Sequence, residues 1–237
     1  MRIAFSTFGC KINQFESDEL KRSLQSSGNT VVPFEESADL YVINTCTVTG
    51  RSDYQCRQAI RSAVKRGNGA QVIVTGCYAE TNPGDVLKIS GVTKIVGNAR
   101  KQVVSEYVTL PMPVQLKEPA FPLRQIRTRP VIKIQDGCEA FCSYCIIPKA
   151  RGRSRSIPRE EVLAQFDALT GAGATEIVLS GIHIGKYGKD IDSSTSLTSL
   201  VQELLERRGH SRIRLSSIEP REITQELVDH LGNGLCR

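Results

Sequence analysis

No stretch of the sequence is apolar for long enough to cross a bilayer, and the opening MRIAFSTFGCKINQ lacks the apolar core of a secretory leader. Those absences argue against a membrane span and against export. There is no internal repeat or low-complexity tract, which sets aside a repeat architecture. The 237 residues, 40% hydrophobic and 24% charged, fit a soluble globular chain of one large or two ordinary domains. Eight cysteines without a leader point to a reducing cytoplasm and to metal ligation rather than disulfides. The net charge of +6 is modest, but it is concentrated: nine Lys and Arg between Arg124 and Arg159 face only Asp136 and Glu139. Such a belt suits a polyanion or a ligand carboxylate, with a solvated loop as the equal alternative.

The belt surrounds DGCEAFCSYCIIPKARGRSRS, in which Cys138, Cys142 and Cys145 stand at C-x3-C-x2-C after the strand-like run VIKIQ. No fourth Cys or His lies nearby, so the triplet cannot close a tetrahedral zinc site. A four-iron cluster held by three cysteines leaves one iron open to a small molecule, and Tyr144 adds an aromatic wall beside it. Disulfides, buried thiols or an incomplete zinc site are the plainer alternatives. Spacing and the flanking aromatic favour the cluster.

Along the chain, strands are expected at residues 2–8, 30–34, 39–46, 71–77 and near 93–98. Helices are expected over 14–27, opened by Asn13 or Ser17, and over 49–66, with a loop at Asn82-Pro83-Gly84. This alternation predicts an open, mostly parallel α/β sheet of flavodoxin or Rossmann type. Cys10, Cys46 and Cys77 each follow a predicted strand. The carboxyl ends of parallel strands share one edge, so three thiols distant in sequence are expected to meet there, with Gly9 and Gly76 permitting close backbone approach. Cys56, inside a helix, and Cys236, at the chain end, read as non-ligands. Four prolines make residues 106–125 a linker between a domain at 1–105 and one at 126–237. The second domain reads as three βα units, the opening half of a (β/α) barrel, and the chain stops before closing it.

C-x3-C-x-Y-C resembles the signature of radical S-adenosylmethionine (SAM) enzymes, whose open iron chelates the amino and carboxylate groups of SAM. With FGCKINQFES, VINTCTVT and TGCYAE before it, and LSGIHIGKYG and LSSIEP after it, the whole chain resembles the methylthiotransferase family. GCKINQ and SGIHIGKYG are most similar to the branch acting on N6-threonylcarbamoyladenosine in tRNA. The branches acting on isopentenyladenosine or a ribosomal protein differ around these motifs. The resemblance implies two [4Fe-4S] clusters, one on Cys138, Cys142 and Cys145 that handles SAM, and an auxiliary one on Cys10, Cys46 and Cys77. It also implies tRNA as substrate and a flavodoxin or ferredoxin as electron donor. Ser180 and Gly181 are expected to bring backbone near SAM, and Arg151 and Arg153 to meet SAM or phosphate. Glu219 is expected at the ribose or amino group of SAM, or else as a helix cap beside Pro220. His183 reads as pocket lining or a plain loop residue, and His210 and His230 as surface. The family normally continues through the barrel into a small RNA-binding β-domain, so this chain is expected to be a fragment, inactive alone. A non-enzymatic iron–sulfur carrier would need neither an open iron nor SAM-binding strands, which the cysteine spacing counts against.

Overall fold

The structure is a computed structural model that describes residues 1–108, 128–192, 194–230 and 235–236. The expected linker at 106–125 falls largely outside those residues. Two compact units divide the chain: Met1–Gln115 with Phe141–Gly152, and Leu116–Ala140 with Arg153–Arg237. The segment 141–152 therefore groups with the N-terminal unit, whereas the sequence reading had it in the second domain.

In the first unit, β1 (Arg2–Thr7), α1 (Lys11–Ser26), β2 (Thr30–Val32), β3 (Leu40–Thr45), α2 (Gly50–Gly67), β4 (Gln71–Gly76), α3 (Cys77–Thr81), α4 (Pro83–Leu87), β5 (Lys94–Val96) and α5 (Val103–Glu106) follow one another. The strands form a wholly parallel sheet in the order β2-β1-β3-β4-β5, the flavodoxin-like arrangement. All six residues of β3 are buried, as an unbroken apolar run in a central parallel strand should be. The pleat sorts neighbours to opposite faces. Leu40, Val42 and Ile73 pack with Leu20 and Leu24 of α1, while Tyr41, Ile43 and Val74 pack with Ile60 and Ala63 of α2.

Two expectations fail here for local reasons. α1 begins at Lys11, behind Cys10, rather than at Asn13 or Ser17: Asn13 Oδ1, the atom that would cap, accepts from Arg151, and its Nδ2 donates to carbonyls of the strand ends. Of the expected loop at 82–84 only Asn82 lies between two short helices; Pro83 opens the second, at a position where its missing N–H costs nothing, and Gly84 lies within it.

The second unit carries β6 (Val131–Lys133), β7 (Gln135–Asp136), β8 (Arg155–Ser156), α7 (Arg159–Gly171), β9 (Glu176–Ser180), α8 (Leu197–Arg207), β10 (Arg212–Leu215), α9 (Gln225–Asp229) and β11 (Leu235–Cys236). α6 (Ile147–Arg151) belongs to the first unit. The order β6-β9-β10-β11 is parallel throughout, the succession of a partial (β/α) barrel, with a fourth short strand where the sequence reading stopped at three. VIKIQD does not run as one strand: β7 leaves the sheet to pair antiparallel with β8. Phe166 and Leu169 of α7, Leu200 and Leu204 of α8, and Ile132, Ile177, Leu179 and Ile213 of the strands share one core.

Candidate metal centres

In the first unit the ends of three adjacent strands are in register, Thr7 opposite Asn44 and Thr45 opposite Gly76. Cys46 and Cys77 leave β3 and β4 at neighbouring positions, and Cys10 follows β1 at the head of α1. This edge includes the β1/β3 neighbourhood where the strand order reverses, the place at which open parallel sheets take ligands. Two glycines make the turns fit. A Cβ on Gly9 (φ +97°) would lie 2.8 Å from Cys46 Sγ, and one on Gly76 (φ +97°) only 2.4 Å from the backbone N and O of Thr45.

Buried amides and hydroxyls fasten the turns together. Asn13 Nδ2 donates to the carbonyls of Phe8 (2.7 Å) and Thr45 (3.0 Å). Asn44 Nδ2 donates to the Asn13 carbonyl and to Ser17 Oγ, both at 2.9 Å. Thr45 Oγ1 donates to the Thr75 carbonyl at 2.6 Å and accepts from Ala79 N at 3.1 Å. Cys46 and Cys77 are buried and Cys10 is exposed. Burial pushes the Cys77 thiol above its ordinary value, while Arg151 and Lys101 pull the other way. Cys56 behaves differently. It lies in the core, its Sγ donates to the Cys46 carbonyl at 3.5 Å, and burial pushes it up to about 12, which suits a protonated packing thiol.

Arg151 corrects the sequence reading. It is not part of a solvated belt facing phosphate or SAM, because its side chain is 1% exposed and enclosed by the first unit. Nη1 donates to Glu16 Oε1 at 2.9 Å, and Nη2 to Glu16 Oε2 at 3.2 Å and to Asn13 Oδ1. Lys101 Nζ donates to the same Glu16 Oε2 and, at 3.2 Å, to Asn44 Oδ1. Of these partners sequence reasoning singled out only Asn13, as a helix opener, and missed Glu16, Lys101 and Asn44. Glu16 stands 85 residues from Lys101 and 135 from Arg151, and no local pattern joins them.

The boundary between the units falls inside the C-x3-C-x2-C loop, between Ala140 and Phe141. On the first-unit side, Cys142 and Cys145 are joined by a turn in which Cys145 N donates to the Cys142 carbonyl at 2.9 Å. Phe141 holds a left-handed φ of 46°, and Tyr144 is 90% exposed. On the second-unit side, Cys138 Sγ lies 3.3 Å from His183 Nδ1. Gln135 fixes that histidine: its Oε1 accepts from His183 N (2.7 Å) and Ile182 N (3.1 Å), and its Nε2 donates to the Gly137 carbonyl (2.7 Å). One amide thus grips both the cysteine turn and the loop after β9. His183 Nε2 is 2.9 Å from Glu222 Oε1 but off the line of a hydrogen bond, and Lys186 Nζ is 3.4 Å from the same oxygen.

The remaining expected SAM contacts are scattered in exposure. Ser180 is buried and its hydroxyl shares a 3.0 Å hydrogen bond with Ser216. Gly181 is packed so closely that a Cβ would lie 2.9 Å from the Gln135 carbonyl. Glu219 is exposed and precedes the short 3-10 turn Pro220–Glu222 without a side-chain capping bond, so the capping alternative fails. Arg153 is exposed, 3.8 Å from Glu139.

Among the described residues, no three His, Cys, Asp or Glu side chains gather as ligands of a single ion would. Iron–sulfur clusters instead take thiolates at separate iron corners. The seven cysteines whose side chains are described are all free of disulfides, so the thiols of both triplets are available as the sulfur donors such clusters take.

Residues 2–97 match the "Uncharacterized protein family UPF0004" and residues 132–235 the "Radical SAM superfamily". The threonylcarbamoyladenosine tRNA methylthiotransferase MtaB of Bacillus subtilis is 40% identical, the match covering 97% of this chain and 54% of that protein. Its Aquifex aeolicus counterpart is 39% identical over 96% and 58%. The tRNA-2-methylthio-N(6)-dimethylallyladenosine synthase of Thermotoga petrophila is 30% identical over 97% and 54%. The chain thus spans about half the length of the curated relatives it matches. Among solved structures, the radical S-adenosylmethionine methyltransferase TsrM from Kitasatospora setae, with cobalamin and a [4Fe-4S] cluster bound, superposes with a TM-score of 0.68. That likeness covers all of this chain and 57% of TsrM at 16% identity, and it speaks to the fold alone.

Proposed function

This chain belongs to the radical SAM methylthiotransferase family, and from that premise we propose that the complete protein adds a methylthio group to C2 of N6-threonylcarbamoyladenosine beside the tRNA anticodon. The observation that carries the proposal is the presence of two cysteine triplets. One lies in a single loop after β6, and the other is spread over the ends of β1, β3 and β4. An enzyme that only cleaves SAM needs the first, and the second is the natural home of a sulfur donor. The choice of branch is supported by identities of 40% and 39% to the threonylcarbamoyl relatives against 30% to the dimethylallyl one.

In this reading Cys138, Cys142 and Cys145 hold the cluster that leaves an iron open to SAM, and Cys10, Cys46 and Cys77 hold the auxiliary cluster. When bound, the clusters and SAM supply the radical hydrogen abstraction and the sulfur that an unactivated aromatic C–H demands. The chain's own residues do the holding. Gln135 fixes the loop of Cys138 relative to His183, whose ring nitrogen lies against that thiol and limits its rotation. Exposed Tyr144 is the aromatic wall, exposed Glu219 meets the ribose or amino group of SAM, and Ser180–Gly181 bring tightly packed backbone to the same strand ends. Arg153 offers an accessible cation for an anionic group. Extracting the adenosine from a single-stranded loop costs only a few kcal/mol, so no dedicated helicase-like element is required. The partners are tRNA and a flavodoxin- or ferredoxin-type donor, acting in the cytoplasm. No helix among the described residues is long and apolar enough to cross a membrane.

The test is made on the complete protein, reconstituted anaerobically. It should bind about eight irons, and replacing Cys138, Cys142 and Cys145 together should halve that and abolish SAM cleavage. Cys10→Ala, Cys46→Ala or Cys77→Ala should keep reductive SAM cleavage and lose methylthiolated nucleoside. Stoichiometric zinc without iron would sink the proposal. Turnover of isopentenyladenosine alone in mass spectra of tRNA nucleosides would move the protein to the other branch.

A further inference from the structure

Asn98 opens the 3-10 turn Asn98–Arg100 that follows β5, and it makes three contacts with residues distant in sequence. Its backbone N donates to Glu80 Oε2 of α3 at 2.8 Å. Its side-chain Nδ2 donates to the Ala150 carbonyl of α6 at 2.6 Å. The same Nδ2 stands 3.7 Å from Cys77 Sγ, at the head of α3. All three partners lie in the first unit, where α6 packs against α3 and against the turn that Asn98 opens. Only Ile146 separates α6 from Cys145.

The Ala150 bond has a plain structural reason. α6 is a five-residue helix whose last carbonyls have no helical partner, and Ala150 is 1% exposed, so Asn98 supplies what bulk water does not. One amide hydrogen is enough for that task. The second is left facing the Cys77 sulfur, while Asn98 Oδ1 is buried without a partner among the described residues, an arrangement that packing alone disfavours. A neutral thiol is a weak acceptor, and 3.7 Å is a loose contact to it. A metal-ligated thiolate is a charged acceptor, to which such a bond is shorter and about twice as strong.

We propose that Asn98 is a positioning residue for the strand-end centre: its one amide holds the Cys77 ligand and the helix behind Cys142 and Cys145 in a fixed relation. This rests on the second-cluster reading above. The proposed reaction draws on both centres at one substrate carbon, so their spacing matters, and a misplacement of about 1 Å can lower a rate roughly 10²-fold. Glu80 fixes the backbone of Asn98, and the amide then spans from α3 to α6.

The first measurement uses the complete protein with Cys138, Cys142 and Cys145 all replaced by Ala, so that only the strand-end site can load. In that background Asn98→Leu removes both N–H donors and the stranded oxygen while keeping the size of the side chain. The midpoint potential should move negative, because a hydrogen bond to a cluster sulfur favours the added electron. Iron should be lost to a chelator roughly tenfold faster, as the loss of one hydrogen bond to a charged acceptor implies. The second measurement keeps both sites intact and reduces both centres. The magnetic coupling between them, read by electron paramagnetic resonance, falls steeply with distance and should weaken or broaden when Asn98→Leu frees α6 from α3. Where Asn98→Leu fails to fold, Asn98→Asp, which keeps the shape and drops the donors, gives the same readouts. Unchanged potential, unchanged coupling between the centres, or failure of both variants to fold overturns the proposal and leaves Asn98 as a structural cap on α6. A parent that loads iron at the strand-end site keeps the second-cluster reading standing in each of those cases. A parent that loads none there overturns that reading, and this proposal with it.

Discussion

Gly76→Ala tests whether β3 and β4 approach as closely as the strand-end thiols require, and Gly69→Ala is its control. The two glycines share nearly the same backbone angle, φ +97° and +99°. A side chain at such an angle costs about 1–3 kcal/mol, of which replacing Gly by Ala returns roughly 0.4–1 kcal/mol through the stiffer unfolded chain. That is the whole expected effect at Gly69, where a Cβ meets nothing within 4 Å. At Gly76 the new Cβ meets Thr45 N and O at 2.4 Å and Asn44 Oδ1 at 2.6 Å, and two of these three atoms are backbone in a fully buried strand. Relief must come from moving β4 or its exit turn, an overpacking cost of about 1–3 kcal/mol more. For a chain of this size each kcal/mol lowers the melting temperature by about 2–4 °C, so Gly76→Ala should melt at least about 2 °C below Gly69→Ala. Thermal melts followed by circular dichroism give the difference. Hydrogen exchange at the β3–β4 ends should accelerate in Gly76→Ala alone. Melting of the two variants within about one degree of each other would refute the close approach.

Two further outcomes follow from burial and charge. In the iron-free protein at pH 8, iodoacetamide should label the exposed Cys10 and Cys142 early, whereas Cys56, pushed up to about 12 by burial, should react only on unfolding. Peptide mass mapping decides, and labelling of Cys56 as fast as Cys10 would overturn its assignment as a packing thiol. Replacing the exposed Arg153 and half-exposed Arg155 by Gln should flatten the salt dependence of tRNA affinity by about 1–2 in slope, if both meet phosphate. An unchanged slope removes them from the interface. Arg151 is left out of that variant because its guanidinium is enclosed by Glu16 and Asn13.

The architecture was legible wherever a local pattern dictated it. LYVINT and QVIVTG are apolar on both faces, which only a covered parallel sheet accommodates, and a parallel sheet puts all its exits on one edge. The sequence therefore suffices to put Cys10, Cys46 and Cys77 after strands that end on one edge. Interactions between side chains far apart in sequence were not legible. Asn13 resembles a helix cap, as Asn before an apolar periodic run usually does, but Arg151 takes its Oδ1 and the carbonyls of Phe8 and Thr45 take its Nδ2. Arg151 sat among basic residues and read as one of them, yet a carboxylate 135 positions earlier drew it inside. His183 was noticed at its strand end. Its contact with Cys138 depends on Gln135 spanning two turns, which no spacing rule encodes.

The two cysteine triplets differ in when they come into being. Cys138, Cys142 and Cys145 are neighbours by sequence, so even an unfolded chain brings their thiols together at small entropic cost. Cys10, Cys46 and Cys77 become neighbours only after β1, β3 and β4 have zipped in register, and their separation makes that a late, long-range event. On the proposed two-cluster reading, the loop triplet is open to iron delivery at any stage of biosynthesis, whereas the strand-end triplet waits for the sheet. On that reading, any defect that slows assembly of the N-terminal unit should yield a half-loaded protein, competent to bind one cluster and blind to the other.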